Sequence, residues 1–169
     1  MANQGLDFAE FYREAKDKCL FTVLVSVGDR DTAQDLVAEA FARAWASWRT
    51  VSRHPAPAAW VVRTALNSGI SRWRRRRREL PVADPARVAD QPAAEWGGDG
   101  SVDPRIMAAL LRLPARQRQV VALRLFLDLD TAGTAQVLGI APGTVQAHLG
   151  RALAALRDDL VPTPKENQS

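Results

Sequence analysis

One cysteine, one tyrosine, two histidines and two methionines leave this 169-residue chain short of the residues that build disulfides, metal sites and nucleophilic centres. Cys19 stands alone, so no internal disulfide can form. With only His54 and His148 beside it, a zinc site lacks ligands. There is no glycine-rich phosphate loop, no metal-ligand spacing and no nucleophile motif. The expectation is a non-enzyme with no cofactor, no metal and no small-molecule substrate. Long apolar runs are missing too. The longest, around Cys19 to Val27, is too short to span a bilayer. The first residues, Met1 to Asp7, do not form a signal peptide. These absences point to a cytoplasmic protein without membrane insertion.

What the chain does have is arginine, unevenly placed. Residues 51–80 hold eight basic groups against one acidic group, six of them in the run Arg72-Trp-Arg-Arg-Arg-Arg-Arg78. Residues 81–103 reverse the sign, with five acids against one base, and 104–160 turn basic again, seven against four. Six charges in seven residues cannot be buried and must face water or a polyanion. Two basic blocks around an acidic stretch suggest two polyanion contacts and a tether.

Hydrophobic spacing gives helices throughout. Leu6, Phe8, Phe11, Ala15, Cys19, Val23 and Val27 recur at three and four, and Gly28 ends that helix. Asp31, with Gln34 three residues on, makes a capping-box pattern for a second helix reaching about Trp48. Its apolar stripe is Val37, Ala40, Phe41, Ala44, Trp45 and Trp48. Its other face carries Gln34, Asp35, Glu39 and Arg43, where Glu39 and Arg43 are an i, i+4 pair. Pro55 and Pro57 break the chain before a third helix, from about Ala58 through the arginines, with Val61, Ala65 and Ile70 as core contacts. Residues 79–103 have no apolar period and read as a flexible linker.

A second helical unit follows. Asp103-Pro104 is an N-cap with a first-turn proline. Pro114 opens the next helix, and Asp130 caps a short one over Thr131 to Leu138. Gly139 turns sharply, and Pro142 opens the last helix, striped by Val145, Leu149, Ala152, Leu156 and Leu160. A short helix, a glycine turn and a longer amphipathic helix form a helix-turn-helix pattern. Its second helix offers Thr144, Gln146, Ala147, His148 and Arg151 outward, toward base edges and phosphates. Arg116, Arg118 and Arg124 stand ready to hold the backbone. In the first unit, arginines beside Trp60 and Trp73 combine phosphate neutralisation with base stacking, as single-strand binders do. Read alone, each feature also has a plain structural account: a solvated helix end, a helical hairpin, Trp60 as core filler.

The two halves together resemble a known family. Asp31-Thr-Ala-Gln-Asp-Leu-Val-Ala-Glu-Ala-Phe-Ala-Arg-Ala-Trp45 resembles region 2.2 of the extracytoplasmic-function (group 4) sigma factors of bacterial RNA polymerase. Ala59-Trp-Val-Val-Arg-Thr-Ala-Leu-Asn67, continuing to Arg78, is similar to regions 2.3 and 2.4. Leu113-Pro-Ala-Arg-Gln-Arg-Gln-Val-Val-Ala-Leu-Arg124 resembles region 4.1. Leu138-Gly-Ile-Ala-Pro-Gly-Thr-Val145, with Arg151-Ala152 and Leu156-Arg157, resembles region 4.2. The match runs over most of residues 6–160, in order.

The resemblance implies an all-α fold of two small helical domains: a region 2 bundle over 1–79 and a region 4 helix-turn-helix over 104–160. A flexible acidic linker, 80–103, joins them, and 161–169 is a disordered tail. It implies core RNA polymerase (β and β′ subunits) and promoter DNA as partners, with an anti-sigma factor as a further partner class. Gln34, Asp35, Glu39 and Arg43 would form the polymerase-binding face. Trp60, Arg63, Asn67, Arg72, Arg74 and Arg75 would hold the −10 element. Arg116, Arg118, Arg124, Thr144, Gln146, Ala147, His148 and Arg151 would hold the −35 element. The linker's acids fit a channel built for RNA. Gln146 and His148 depart from the Lys or Arg common there, and Gly133 and Thr134 depart inside the motif's first helix. A stand-alone helix-turn-helix regulator and a sigma-like decoy for an anti-sigma factor are the competing readings. The first has no use for the acidic face of the second helix, and the second none for the arginines.

Overall fold

The computed structural model describes residues 3–79 and 102–162, with side chains from Asp7 onward except at position 70 and over 72–79. Linker residues 80–101, tail residues 163–169 and the side chains of Ile70 and of the arginine run therefore lie outside the described residues. Every element described is a helix: α1 (Asn3–Val27), α2 (Arg30–Ala46), α3 (Trp48–Val51), α4 (Pro57–Glu79), α5 (Pro104–Arg112), α6 (Ala115–Leu125), α7 (Thr131–Leu138) and α8 (Pro142–Leu160). The all-α expectation holds.

Gly28 ends α1 in a left-handed conformation, φ 77°. Its N–H still reaches the Leu24 carbonyl at 2.8 Å. The turn is so tight that α2 restarts within two residues. Asp29 is therefore the N-cap, accepting the Thr32 N–H at 2.9 Å and also the Thr32 hydroxyl. This corrects the expected cap at Asp31, which sits inside the first turn. The expected stripe of α2 faces the core except for Trp45. That ring is 53% exposed: the helix breaks at Ser47, and α3 carries Trp48 and Val51, not Trp45, into the interior. Phe8, Phe11, Tyr12, Phe41, Trp45 and Trp48 form one aromatic cluster, with Trp45 5.0 Å from Phe8 and Tyr12 4.9 Å from Phe41.

The caps of the second unit are those expected. Asp103 accepts the Arg105 N–H at 2.8 Å, with Pro104 in the first turn. Asp130 accepts the Gly133 N–H at 2.7 Å. Gly139 is left-handed, φ 64°, and lets the Ile140 N–H reach the Ala135 carbonyl at 3.1 Å.

The centre of the molecule is the C-terminal half of α1. Thr22, Val23, Leu24, Val25 and Ser26 are all buried, so the helix there is enclosed on every side. α2 and α4 cover one side, and α6 covers another with α5 beside it. The two polar side chains in this stretch turn back on the helix: Thr22 donates to the Lys18 carbonyl at 2.8 Å and Ser26 to the Thr22 carbonyl at 2.7 Å. The two expected helical units are thus present, and they also pack on each other.

Candidate nucleic-acid interface

The outer face of α2 carries Gln34 and Asp35, both exposed, and Glu39, half-buried. Arg43 donates to Glu39 at 2.7 Å across one turn. The pairing read from spacing exists and orients the glutamate along the helix. Such an exposed pair contributes only a few tenths of a kcal/mol. Its main effect is to hold the acid on the same surface as Asp35.

On α4, Ala59, Val61, Val62, Ala65 and Leu66 face the core. Arg63, Asn67 and Ser71, four residues apart each time, are exposed and form an outward stripe. The Ser71 hydroxyl donates to the Asn67 backbone carbonyl at 3.1 Å, and the Asn67 side chain makes no part of that bond. Trp60 is half-buried and packed on the core, which matches its structural reading and leaves one part of the ring accessible. The preceding loop is ordered by an imidazole: the Ala56 N–H donates to His54 Nδ1 at 3.1 Å. Sequence reasoning passed over Arg49 and Arg53, both exposed beside this loop. Lone arginines in a turn carry no periodic signal.

The helix-turn-helix is built around Val120, Ala135 and Val145. Thr144, Gln146, Ala147 and Arg151 are exposed on α8. His148 is half-buried instead of outward: its Nδ1 lies inside without a protein partner. On α6 only Arg116 is fully outward, where its guanidinium reaches Gln119 at 3.2 Å. Arg118 turns inward, donating to the Leu111 carbonyl at 3.1 Å and the Ser26 carbonyl at 3.4 Å. Its burial pulls the guanidinium below the ordinary arginine range. Arg124 donates to the Leu129 carbonyl at 2.7 Å. In this arrangement both arginines serve the fold, not a phosphate. The reason is that each finds a carbonyl left open at a helix end or loop.

Gly133 also gains an explanation. A Cβ there would stand 3.1 Å from Asp130 Oδ1 and crowd the cap. Thr134, by contrast, is fully buried with an unpartnered hydroxyl, for which the structure offers no account. Among the described residues no cluster of three or more His, Cys, Asp or Glu could hold a metal ion.

The family pattern described as Sigma-70 region 2 matches residues 12–79, and that described as Sigma-70, region 4 matches residues 104–156. The RNA polymerase sigma-E factor of Streptomyces coelicolor is 34% identical over 157 residues, covering 92% of this chain and 87% of that protein. The ECF RNA polymerase sigma factor SigL of Mycobacterium tuberculosis is 33% identical over 134 residues, covering 77% and 75%. Among solved structures, the sigma factor RpoE of Bartonella quintana, crystallised with the anti-sigma factor NepR, superposes with a TM-score of 0.73 at 25% identity. That superposition covers 91% of this chain and 96% of that one.

Proposed function

This chain belongs to the sigma-70 family, in its extracytoplasmic-function group, and we propose a division of labour among its faces. As an alternative sigma factor it directs transcription initiation by RNA polymerase. The acidic face of α2, with Gln34, Asp35, Glu39 and Arg43, docks on the core enzyme. The α4 stripe of Arg63 and Asn67, with the accessible part of Trp60 and the arginines at 72, 74 and 75, holds the unpaired −10 strand. The exposed start of α8, with Thr144, Gln146 and Ala147, reads the −35 duplex, and Arg151 and Arg116 hold its phosphates. The work takes place in the bacterial cytoplasm, and no helix among the described residues is long and apolar enough to cross a membrane.

The observation that carries this reading is the pairing of two outward donor surfaces, one on each half, with a third surface that is acidic. A base reader needs donors and cations. Asp35 and Glu39 are unsuited to DNA and suited to a basic protein surface. Opening a promoter this way needs no nucleotide hydrolysis. Unstacking a base costs a few kcal/mol, which stacking and hydrogen bonds to a pocket can offset. Tethering two weak readers on one polymerase raises their effective concentration. An anti-sigma factor, as in the Bartonella complex, is a further partner class for this chain.

Run-off transcription with bacterial core polymerase on a pooled genomic promoter library tests the assignment. Wild type should yield specific transcripts. The double variant Asp35→Lys, Glu39→Lys should lose them together with co-purification of core enzyme, while retaining its helicity. Absence of transcripts from wild type, with sequence-specific duplex binding by the free chain, would instead make it a stand-alone regulator.

A further inference from the structure

The strand-holding face assigned to α4 ends at Trp60, but the basic surface runs on. From Ala40 to Arg78 the chain holds ten arginines and no acidic residue. Arg49 and Arg53 lie past the N-terminal end of α4, and neither the acidic face of α2 nor the α4 stripe includes them. Both are exposed. Among the described residues, the side chains of Arg49, Arg53 and Arg63 have no ion pair and no hydrogen bond. By contrast, Arg43, Arg105 and Arg112 each hold a carboxylate, and Arg118 and Arg124 hold carbonyls. A guanidinium with no acid beside it keeps its whole charge for an anion from outside.

The segment that carries these two arginines is firmly anchored. Trp48 and Val51 of α3 are buried. The Trp48 ring packs against Phe8 at 5.2 Å and Phe11 at 5.0 Å. Helical turns continue past α3. The Ser52 N–H reaches the Trp48 carbonyl at 2.8 Å, the Arg53 N–H the Thr50 carbonyl at 3.2 Å and the His54 N–H the Val51 carbonyl at 3.0 Å. The Ala56 N–H then donates to His54 Nδ1 at 3.1 Å. Arg49 and Arg53 therefore stand one turn apart on the side away from Trp48 and Val51, with Cβ atoms about 5–6 Å from each other. Two guanidiniums so spaced can grip neighbouring phosphates of one strand, each planar fork serving two oxygens. Phosphate contacts of this kind position a strand and carry no sequence information.

Chain order decides which part of the strand they meet. α4 runs from this loop to the arginine run, and the chain then continues through residues 80–101 to the half that reads the −35 duplex. The C-terminal end of α4 thus belongs to the upstream side of the −10 element. The loop before α4 belongs to the downstream side, toward the start site. Pro57 to Arg63 is about 9 Å of helix. A strand that passes Asn67, Arg63 and Trp60 reaches Arg53 within a few nucleotides.

We propose that Arg49 and Arg53 form a phosphate clamp on the single strand just downstream of the −10 element. The ligand is the sugar-phosphate backbone of unpaired DNA, held without regard to sequence. The clamp keeps that strand from pairing again beyond the bases held by α4, and so favours the open promoter. This inference rests on the −10 assignment of α4 and extends the DNA path beyond it.

The test titrates polymerase holoenzyme against two fork-shaped probes made from a promoter found by the run-off assay. Both carry the −35 duplex and an unpaired −10 strand. One ends at the −10 element, and the other continues with several thymidines. Wild type should bind the longer probe about five- to tenfold more tightly, with a salt slope steeper by about 1.4, the share of two single-strand phosphates. The double variant Arg49→Ala, Arg53→Ala should lose both the advantage and the extra slope, and should bind the shorter probe as wild type does. Arg49→Lys, Arg53→Lys should recover most of the advantage, because the charge is kept. Neutral methylphosphonate linkages in the extension should make the longer probe behave like the shorter one toward wild type. Arg63→Ala, on the α4 stripe, should weaken both probes alike. The clamp is overturned if wild type gains nothing from the extension. It is equally overturned if the gain survives the double alanine change or the methylphosphonates. An equal loss on both probes that lysine does not recover would make the two arginines structural. Wild-type holoenzyme that binds neither probe refutes the −10 assignment itself, whereas tight binding of both with equal affinity refutes the clamp alone.

Discussion

Arg124 donates to the Leu129 carbonyl at 2.7 Å, reaching from the last turn of α6 into the loop before the helix-turn-helix. The guanidinium is half-buried and fixes the loop that delivers Asp130 to cap α7. A charge-assisted bond in such a place contributes about 1.5–3 kcal/mol. Arg124→Ala should lower stability by that amount in urea unfolding. Arg116→Ala, on the exposed first turn of the same helix, should change it by less than about 0.5 kcal/mol. Equal effects from the two would refute the clamp.

The cap itself makes a sharper prediction. Asp130→Ala should cost about 1 kcal/mol, and Asp130→Asn much less, since both caps accept the Gly133 N–H. Alanine at an exposed helical glycine normally gains about 1 kcal/mol. At position 133 the added Cβ would press on Asp130 Oδ1 at 3.1 Å. Gly133→Ala should therefore gain little in the wild-type background and about 1 kcal/mol in the Asp130→Ala background. A double-mutant cycle in thermal unfolding measures that coupling, and strict additivity would show that the glycine is not there for the cap.

The second half was closely legible in the sequence. Asp103, Pro104, Asp130, Gly139 and Pro142 are local signals whose physics is confined to a turn, and each acts where it was read. The cap at Asp29 was missed because Asp31 and Gln34 also fit a capping pattern, and only the left-handed turn at Gly28 decides between them. The packing of the halves was missed for a different reason. Cys19 to Val27 is apolar all round, which marks a helix enclosed on every side, yet its length was weighed only against a membrane. No periodicity argument names the element that covers the far side of a helix. Arg118 turns inward partly to reach Ser26 on α1, a partner far away in sequence, and Arg124 turns back to a loop carbonyl, so composition could only class both with the DNA-facing arginines. Asp35 on α2 and the Arg63–Asn67 stripe on α4 are exposed, as their spacing in the sequence predicts, and Glu39 is half-buried beside Asp35.

Within that proposal, Arg63 and Asn67 should behave differently although they stand one turn apart on one stripe. Arg63 can supply charge to a phosphate, so Arg63→Ala should weaken promoter-complex formation evenly across sequences and lower the salt slope by about one. Asn67 can supply directional hydrogen bonds to a base edge, so Asn67→Ala should leave the salt slope unchanged and relax preference within the −10 element. Both side chains are exposed, so neither change should move stability by more than about 0.5 kcal/mol. Salt titrations of polymerase holoenzyme on a promoter found by the run-off assay measure this. Parallel losses in the two variants would indicate a structural role for the stripe.

Cys19 gives a prediction with a definite pH window. Its thiol is fully buried in the core of α1, with Sγ 3.7 Å from the Ala58 carbonyl, and burial pushes its pKa up to about 12. The unfolded chain releases this proton near pH 9, whereas the folded chain keeps it until about pH 12. Between those values the native state binds the extra proton, so unfolding becomes easier as pH rises. The slope is about 1.4 kcal/mol per pH unit from this group alone. Below pH 9 both states are protonated and the effect vanishes. Comparison with Cys19→Ala isolates the contribution of this group. That variant should be less stable near neutral pH, yet lose stability more slowly above pH 9. Denaturant midpoints from pH 7 to 10.5 for the two proteins would show it, and parallel curves would mean that the thiol ionises without leaving the core. Native wild type should also resist a thiol-specific disulfide reagent at pH 8 and react only on unfolding, because the reactive species is a thiolate that the core disfavours.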